Sequence, residues 1–235
     1  GNGCIIYSTE SNISVDPVPE VIVPTGLEEC DDDYDGITSF NLTDKNTEIL
    51  NGQTGITVSY HLIEDDAETG DNPITDPYLN TTVDNQTIYV RLIDDATACY
   101  ATTTLALQVN PIPEVIIPPV YEVCDDDYDG VGTFDLTSLD DTILNGQTGI
   151  SVTYHQSQED ADAGSNVLSS PYNNTSLDAQ ELIVRLENNT TGCYATTTQG
   201  LIVNPLAVIE VTDYELCDYN NSGDMIEVFD ITTKN

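Results

Sequence analysis

The segment ITVSYHL, residues 56–62, decides the fold class because apolar and polar side chains alternate along it. Ile56, Val58, Tyr60 and Leu62 occupy every second position, which is the period of a strand with one buried face. The same alternation returns in two further segments, at Ile88, Val90 and Leu92 and at Leu105, Leu107 and Val109. The pattern therefore predicts an all-β fold.

The charge of the chain is strongly unbalanced, with 42 acidic residues against 4 basic ones and a net charge of −38. A hydrophobic fraction of 39% nevertheless indicates a folded chain. Such an acidic surface repels phosphate backbones and anionic lipids. No apolar run approaches the roughly 20 residues of a membrane-spanning helix. We therefore expect neither nucleic acid binding nor membrane insertion.

An internal repeat organises the chain. Residues 30–111 align with residues 124–205 without a gap, and about 45 of the 82 positions are identical. The period, about 94 residues, is too long for a solenoid unit and is typical of an independently folded sandwich domain. The sequence thus predicts tandem immunoglobulin-like β-sandwich repeats joined by short proline-containing linkers, with about seven short strands in each repeat.

The repeat boundaries divide the chain into four parts. Residues 18–111 and 112–205 are predicted to be complete immunoglobulin-like repeats. Residues 1–17 resemble the C-terminal part of a preceding repeat, and residues 206–235 resemble the N-terminal part of a following one. The prolines of the linker NPIPEVIIPP, residues 110–119, favour a stiff extended connection.

The acidic stretch CDDDYDG occurs at residues 30–36 and again at 124–130. Oxygen-bearing side chains at the first, third and fifth positions after the cysteine, followed by glycine, match the first half of a calcium-binding loop of the EF-hand type. The candidate ligands are these side chains and the backbone carbonyl at the seventh position: Asp31, Asp33, Asp35 and Ile37; Asp125, Asp127, Asp129 and Val131; and Asp218, Asn220, Ser222 and Asp224. The pattern predicts Ca²⁺ as the cofactor.

A solvated acidic turn without a bound ion is the alternative for this stretch. The bidentate glutamate expected at the twelfth loop position is absent, since Leu42 and Leu136 stand there. The third copy, near Asp218, loses charge but keeps oxygen donors and the glycine, which favours metal binding. Both interpretations stay open at this point.

Six cysteines recur in two classes and no CxxC motif is present, which favours structural disulfides in an oxidising compartment. Two pairings respect the repeat. In the first, Cys30–Cys99 and Cys124–Cys193 close each repeat, with Cys4 and Cys217 paired elsewhere. In the second, the junctions are joined by Cys4–Cys30, Cys99–Cys124 and Cys193–Cys217. The constant spacing of 69 residues within a repeat favours the first pairing.

No catalytic constellation emerges from the sequence. His61 and His155 occur once per repeat without a second histidine nearby, and no GxSxG, P-loop or dinucleotide-binding fingerprint is present. Arg91 and Arg185 are isolated cations among carboxylates and favour structural ion pairs. We therefore expect a protein that is not an enzyme.

The shared phrases of the two repeats, among them ILNGQTGI, SPYNNTS, VRLENNTTGCYATTT and VNP, resemble the repeat units of very large Bacteroidetes surface proteins. These proteins are exported by the type IX secretion system and include gliding-motility adhesins of the SprB kind. The resemblance implies a secreted filamentous adhesin at the cell surface.

Two functions are compatible with that resemblance. In the first, the repeats are a structural stalk stiffened by calcium and disulfides, and their partners are the neighbouring repeats of the same chain. In the second, each repeat is itself a module that binds extracellular polysaccharide or another surface. The absence of Trp and the presence of only three Phe favour the stalk.

Overall fold

The computed structural model describes residues 15–206 and residue 223, and within them each repeat contains six strands and two short α-helices. Repeat 1 contains β1 (Leu27–Cys30), β2 (Ser39–Phe40), α1 (Asn46–Leu50), β3 (Ile56–His61), α2 (Glu64–Thr69), β4 (Tyr78–Leu79), β5 (Asn85–Asp94) and β6 (Tyr100–Asn110). Repeat 2 contains β7 (Tyr121–Cys124), β8 (Thr133–Phe134), α3 (Asp140–Leu144), β9 (Ile150–His155), α4 (Gln158–Ala163), β10 (Tyr172–Asn173), β11 (Ala179–Asn188) and β12 (Tyr194–Asn204).

Each repeat packs one four-stranded sheet against one very short two-stranded sheet. The larger sheets have the orders β1-β6-β5-β3 and β7-β12-β11-β9, and the smaller ones pair β2 with β4 and β8 with β10. All pairs are antiparallel except the first strand of each repeat, which runs parallel to the last. The predicted immunoglobulin-like all-β fold is confirmed.

The parallel pairing gives each repeat two distinct ends. In β1 and β6, Cys30 lies beside Asn110, where both strands finish. In β7 and β12, Cys124 lies beside Asn204 in the same way. We call this end the C-terminal pole of a repeat, and we call the end where β6 or β12 begins the N-terminal pole.

Six strands form where about seven were predicted, and β2 contains only two residues. After Phe40 the chain turns into a 3-10 helix, Leu42–Lys45, and the Leu42 N–H donates to Asp76 Oδ1 at 2.7 Å instead of to a strand. A matching 3-10 helix, Leu136–Leu139, precedes α3.

The alternation around β3 departs from the prediction at its end. β3 stops at His61, so Leu62 is exposed instead of lying in the buried row. His61 is fully buried, and its ring nitrogens contact Asp71 O at 2.7 Å and Ser59 Oγ at 2.8 Å. A polar side chain is tolerated there because both ring nitrogens have partners.

The core of each repeat lies between its two sheets. In repeat 1 it contains Phe40, Leu42, Ile49, Ile88, Val90, Leu92, Leu105 and Leu107, and in repeat 2 Phe134, Leu136, Ile143, Leu182, Val184, Leu186 and Leu201. These two clusters are separate, so each repeat has its own hydrophobic core. No helix within residues 15–206 is long and apolar enough to cross a membrane.

Truncating one buried leucine tests this core. We expect Leu186→Ala, which empties a fully buried position on β11, to lower the free energy of unfolding of repeat 2 by about 2–5 kcal/mol. Leu177→Ala is the matched control, since Leu177 is 66% exposed and should change stability by less than about 0.5 kcal/mol. Urea denaturation measures both, and equal effects would contradict the assigned core.

Candidate functional site: the junction between the repeats

A disulfide joins the two repeats. Cys30, the last residue of β1, is bonded to Cys193, which directly precedes β12, and the two Cα atoms are 5.5 Å apart. The cysteines are separated by 163 residues in the sequence. Cys193 is almost fully buried, whereas Cys99 is half-buried and Cys124 is exposed, and neither of these two has a disulfide partner in the part of the chain that the structure describes.

Both predicted pairings are therefore wrong for Cys30 and Cys193. Cys30 lies at the C-terminal pole of repeat 1, beside Asn110, while Cys99 lies at the N-terminal pole, just before β6. β6 contains 11 residues, which at about 3.3 Å per residue separates these poles by roughly 35 Å. A disulfide requires Cα atoms within about 7 Å. The pairing Cys124–Cys193 fails for the same reason.

The alternative Cys99–Cys124 bond is excluded because these cysteines lie at opposite outer ends of the two-repeat unit. Cys99 belongs to the N-terminal pole of repeat 1, and Cys124 lies beside Asn204 at the C-terminal pole of repeat 2. Cys4 and Cys217 lie outside the described residues. The constant spacing of 69 residues reflected the repeated fold and carried no information about which cysteines meet.

The residues that follow Cys30 form a loop that packs at the junction. We call residues 31–36 acidic loop 1 and residues 125–130 acidic loop 2. The Tyr34 hydroxyl donates a hydrogen bond to the backbone carbonyl of Pro113 in the linker, at 2.7 Å. A cleft of about 560 Å³ at this junction is lined by Cys30, Asp31, Asp32, Tyr34, Ile112, Val115, Tyr194, Ala195 and Thr196. Acidic loop 1 thus faces both the linker and the beginning of β12.

A glutamine in each repeat holds the segment that leads into that repeat. The Gln147 side chain accepts a hydrogen bond from Glu114 N at 2.9 Å and donates one to Glu114 O at 3.0 Å, in the manner of a strand partner. Gln53 makes the same two contacts with Glu20, at 2.8 and 3.0 Å. The available sequence signal for this role is that the glutamine recurs in both copies of ILNGQTGI.

Acidic loop 1 is organised by its own first carboxylate. Asp31 is buried, and its Oδ1 accepts from Asp33 N at 3.2 Å and Tyr34 N at 3.1 Å, while its Oδ2 accepts from Gly36 N at 2.9 Å. Asp125 makes the equivalent three bonds in acidic loop 2. Each loop therefore closes around an aspartate that satisfies backbone N–H groups.

Glycine is required at the sixth position of the loop. Gly36 has φ +73°, and a Cβ atom there would lie 2.6 Å from Asp84 Oδ1 and from Val83 Cγ1. The Gly36 carbonyl accepts from Asp84 N at 3.1 Å and from the buried Asn80 Nδ2 at 3.0 Å. The glycine that suggested a metal loop thus also permits a close approach between two loops.

The structure brings together part of the predicted metal-ligand set. One carboxylate oxygen from each of Asp31, Asp33 and Asp35 lies within 4.8 Å of the others. In acidic loop 2 the corresponding cluster is Asp125, Asp126 and Asp127, so Asp126 takes the place of the predicted Asp129.

The backbone N–H groups of the residues predicted to supply the carbonyl ligands donate within their loops. Ile37 N donates to Asp35 Oδ1, and Val131 N to Asp129 Oδ1, both at 2.7 Å. The predicted ligands Asp218, Asn220, Ser222 and Asp224 lie outside the described residues. Carboxylate oxygens are the ligands that a hard divalent cation prefers. Because Ca²⁺ takes six to eight oxygen ligands, it would need further oxygens besides these three carboxylates.

The carboxylates within one loop differ in acidity. Burial acts to raise the pKa of Asp31, but the N–H groups of Gly36, Asp33 and Tyr34 outweigh it and hold the pKa below its usual value. Burial followed by repulsion from Asp35 raises the pKa of Asp33. Asp31 is thus stabilised as an anion by the fold itself, whereas a nearby positive charge would favour ionised Asp33.

Two buried arginines, Arg91 and Arg185, stack on tyrosines at the N-terminal poles of the repeats. The Arg91 guanidinium stacks on Tyr100 at 3.7 Å and donates to Ala67 O at 2.7 Å, near the end of α2. Arg185 stacks on Tyr194 at 3.5 Å. Arg185 also pairs with Glu187 at 2.7 Å, as predicted, but Arg91 forms no ion pair within the described residues. These stacks position Tyr100 and Tyr194, which directly follow Cys99 and Cys193 in the sequence.

The opposite pKa shifts in acidic loop 1 generate a prediction. In EDTA at pH 7, we expect Asp31→Asn to lower the melting temperature by about 4–8 °C, since one backbone hydrogen bond worth about 1 kcal/mol is lost. We expect Asp33→Asn to raise the melting temperature, because the substitution removes repulsion with Asp35.

Thermal melts from pH 7 to pH 3 check the signs. The folded-state pKa of Asp31 is lowered, so the penalty of Asp31→Asn should persist down to the unfolded value of 3.8 and shrink below it. The folded-state pKa of Asp33 is raised, so the gain from Asp33→Asn should fade as the pH approaches 3.8 and the native side chain protonates. The same sign for both variants at pH 7 would contradict the assigned roles.

Comparison with solved structures finds multi-domain arrays at low similarity. A titin I-band fragment, I67–I69, is 13% identical, with a TM-score of 0.30 and coverage of 78% of this chain and 64% of the fragment. Extracellular domains 3–5 of Drosophila OTK are 10% identical, with a TM-score of 0.33 and coverage of 80% and 62%. Domains 7, 8 and 9 of the S-layer protein SbsC are 15% identical, with a TM-score of 0.32 and coverage of 81% and 62%.

The chain thus spans just under two thirds of the titin fragment. No curated protein matches the chain. A family model, the Flavobacterium inter-domain disulphide bond domain, matches twice in tandem, at residues 26–113 and 120–207. Those two matches cover most of the sequence, and the bond between Cys30 and Cys193 joins one matched region to the other. The chain is a structural repeat protein that belongs to the Flavobacterium inter-domain disulphide bond domain family.

Proposed function

We propose that the two repeats form a stiff, extension-limited segment in the stalk of a secreted cell-surface adhesin. The observation that carries the proposal is the Cys30–Cys193 disulfide between the repeats. It connects the end of β1 in repeat 1 to the residue before β12 in repeat 2, so a covalent path crosses the junction without passing through either core.

That path determines which residues can be extended by tension. Force applied to the segment before Cys30 passes through the disulfide to Cys193 and leaves along β12. The intervening chain is closed into a loop with a sequence separation of 163 residues. At about 3.5 Å per extended residue, the loop withholds roughly 570 Å of contour length. Unfolding of the cores inside the loop therefore cannot lengthen the segment.

Contacts around the linker support stiffness in the folded state. The Gln147 side chain bonds to both the N–H and the carbonyl of Glu114, and the Tyr34 hydroxyl of repeat 1 donates to the carbonyl of Pro113. The linker also contains prolines, which restrict backbone rotation. Together with the disulfide, these contacts oppose bending at the junction.

The adhesin role rests on the resemblance to gliding-motility surface proteins and on the chemistry of the chain. Disulfides persist in oxidising compartments, which supports secretion, by the type IX route of those proteins. A net charge of −38 keeps neighbouring molecules apart and in solution. The stalk would serve surface attachment or gliding, with contacts to polysaccharide or another surface made outside these repeats. The proposal assigns no catalytic role, in keeping with immunoglobulin-like repeat folds.

Calcium is the second part of the proposal. Asp31, Asp33 and Asp35 would hold the ion beside the linker, and Asp125, Asp126 and Asp127 would hold it in acidic loop 2. The ion would neutralise Asp33, whose pKa is raised by burial and crowding. Because acidic loop 1 carries Tyr34 against Pro113, ordering of this loop would stiffen the junction.

Single-molecule pulling from the chain ends tests the mechanical proposal. With the disulfide intact, we expect no contour-length gain from the 163-residue loop. After reduction, unfolding of the repeats should add about 570 Å. Equal gains under oxidising and reducing conditions would refute the extension limit.

The matched variants separate the disulfide from other effects of the reductant. Cys30→Ser combined with Cys193→Ser should extend fully without reductant. Cys99→Ser combined with Cys124→Ser should behave like the native chain, since neither cysteine has a disulfide partner among the described residues.

Thermal melts at rising Ca²⁺, with Mg²⁺ and EDTA as controls, test the metal. We expect a saturable rise in melting temperature that is selective for Ca²⁺, equivalent to about 2.7 kcal/mol at 100 times the dissociation constant. Asp33→Asn combined with Asp127→Asn should abolish the rise. A shift no larger than that with Mg²⁺ would show that the acidic loops function as solvated turns.

A further inference from the structure

One buried side chain of repeat 2 carries an oxygen without a hydrogen-bond partner. Gln199, on β12, is 1% exposed, and its Oε1 accepts no hydrogen bond from any residue that the structure describes. The equivalent position in repeat 1 is Leu105, which is fully buried in the core. Because an unpaired buried amide oxygen lowers stability, an apolar residue would suit this position better unless the amide has another role.

The amide nitrogen of Gln199 holds the end of the linker. Its Nε2 donates to the backbone carbonyl of Pro119 at 2.9 Å and to that of Gly200 at 2.8 Å. Pro119 stands two residues before β7, so this bond ties the end of the linker to the last strand of repeat 2. The apolar side chain of Leu105 has no donor with which to make such a bond in repeat 1.

Repeat 1 holds the residue equivalent to Pro119 in a different way. The alignment of the repeats, continued before residue 30, places Thr25 opposite Pro119. The N–H and the hydroxyl of Thr25 donate to the two carboxylate oxygens of Glu48, at 2.7 and 2.9 Å. Lys45 Nζ donates to Thr25 Oγ1 at 2.6 Å. We call Thr25, Lys45 and Glu48 the Thr25 clamp.

Repeat 2 cannot form the Thr25 clamp, because all three of its members are replaced. Pro119 has neither a backbone N–H nor a hydroxyl. Leu139 stands in the place of the lysine, and Thr142 stands in the place of the glutamate. The repeat that lacks the clamp is thus the one in which a core leucine is replaced by Gln199.

Side-chain volume is also redistributed where the end of the linker meets the last strand. In repeat 1, Gly26 lies against Ala106, and a Cβ atom on the glycine would lie 3.3 Å from Ala106 O. In repeat 2 the larger residue is in the linker: Val120 Cγ2 would lie 3.4 Å from a Cβ atom on Gly200. The two repeats therefore build this contact from different residues.

We propose that Gln199 is a positioning residue of the junction, which fixes the end of the linker to repeat 2 in place of the Thr25 clamp. The inference rests on the proposed stiff junction and names the residue that provides part of that stiffness. The same residue leaves an amide oxygen unpaired in the core, so repeat 2 is less stable than it would be with an apolar side chain there. Junction stiffness and core stability thus have opposite requirements at this position.

With Gln199 in place, the linker is restrained at both of its ends. Tyr34 and Gln147 bond to its beginning, and Gln199 bonds to its end. A segment tied at both ends has fewer accessible backbone conformations than a segment tied at one end. Loss of the Gln199 amide should therefore loosen the linker while the core of repeat 2 becomes more stable.

Gln199→Met in the full chain tests both effects, since methionine has a similar length but no amide. We expect the melting temperature of repeat 2 to rise by about 4–8 °C, because an unpaired buried group is removed. We expect the backbone order parameters of Ile117 and Val120, measured by nitrogen relaxation, to fall from about 0.85 toward 0.6. The exposed Thr198→Met is the matched control and should change neither quantity.

Transplanting the Thr25 clamp into repeat 2 provides the rescue. Pro119→Thr, Leu139→Lys and Thr142→Glu, added to Gln199→Met, should return the order parameters to their native values and keep the higher melting temperature. A transplant that leaves the linker loose would overturn the assigned exchange of one clamp for the other.

Two results of the single variant would also overturn the inference: unchanged order parameters in Gln199→Met, or a fall in its melting temperature. The Cys30–Cys193 disulfide is intact in every variant. The pulling experiment reads that disulfide and not the Gln199 amide, so failure of the extension limit and failure of this inference are distinguishable.

Discussion

The parallel pairing of the first strand with the last strand determines how these repeats connect. It places Cys30 beside Asn110 at one pole of the repeat, while Cys99 begins the last strand at the other pole. The two cysteines of one repeat are then too far apart to form a disulfide, whereas Cys30 can reach a cysteine of the next repeat. The linker, acidic loop 1 and the beginning of β12 all meet at that bond.

Hydrogen bonds and one covalent bond stabilise the junction of a chain that has few cations. Among residues 15–206 there are two ion pairs, Lys45–Glu48 and Arg185–Glu187. The buried Asp31 is satisfied by backbone N–H groups rather than by a cation. A bond that depends on neither charge nor apolar contact suits a surface with a net charge of −38, because like-charged repeats repel each other at close range.

The local elements could be predicted from the sequence, and the junction could not. Alternation identified β3, β5 and β6, and the repeat identified two sandwiches, because both signals lie within short windows. The sequence also predicted that the acidic residues of each loop cluster, and the structure places them together, except that Asp126 joins the second cluster in place of Asp129. The disulfide depends on strand direction, which alternation does not encode. Gln147 contacts Glu114 in the linker, which is 33 positions away in the sequence. Neither the disulfide nor this contact could be predicted without the tertiary structure.

Disulfide mapping under non-reducing conditions tests the central claim most directly. Free thiols would first be alkylated in the folded protein, and the chain would then be cleaved at Asp and Glu, because it contains only 4 Lys and Arg residues. The account predicts a cross-linked peptide pair that contains Cys30 and Cys193. A Cys30–Cys99 or Cys124–Cys193 pair would contradict it, since each repeat would then be closed on itself and the junction would have no covalent bond.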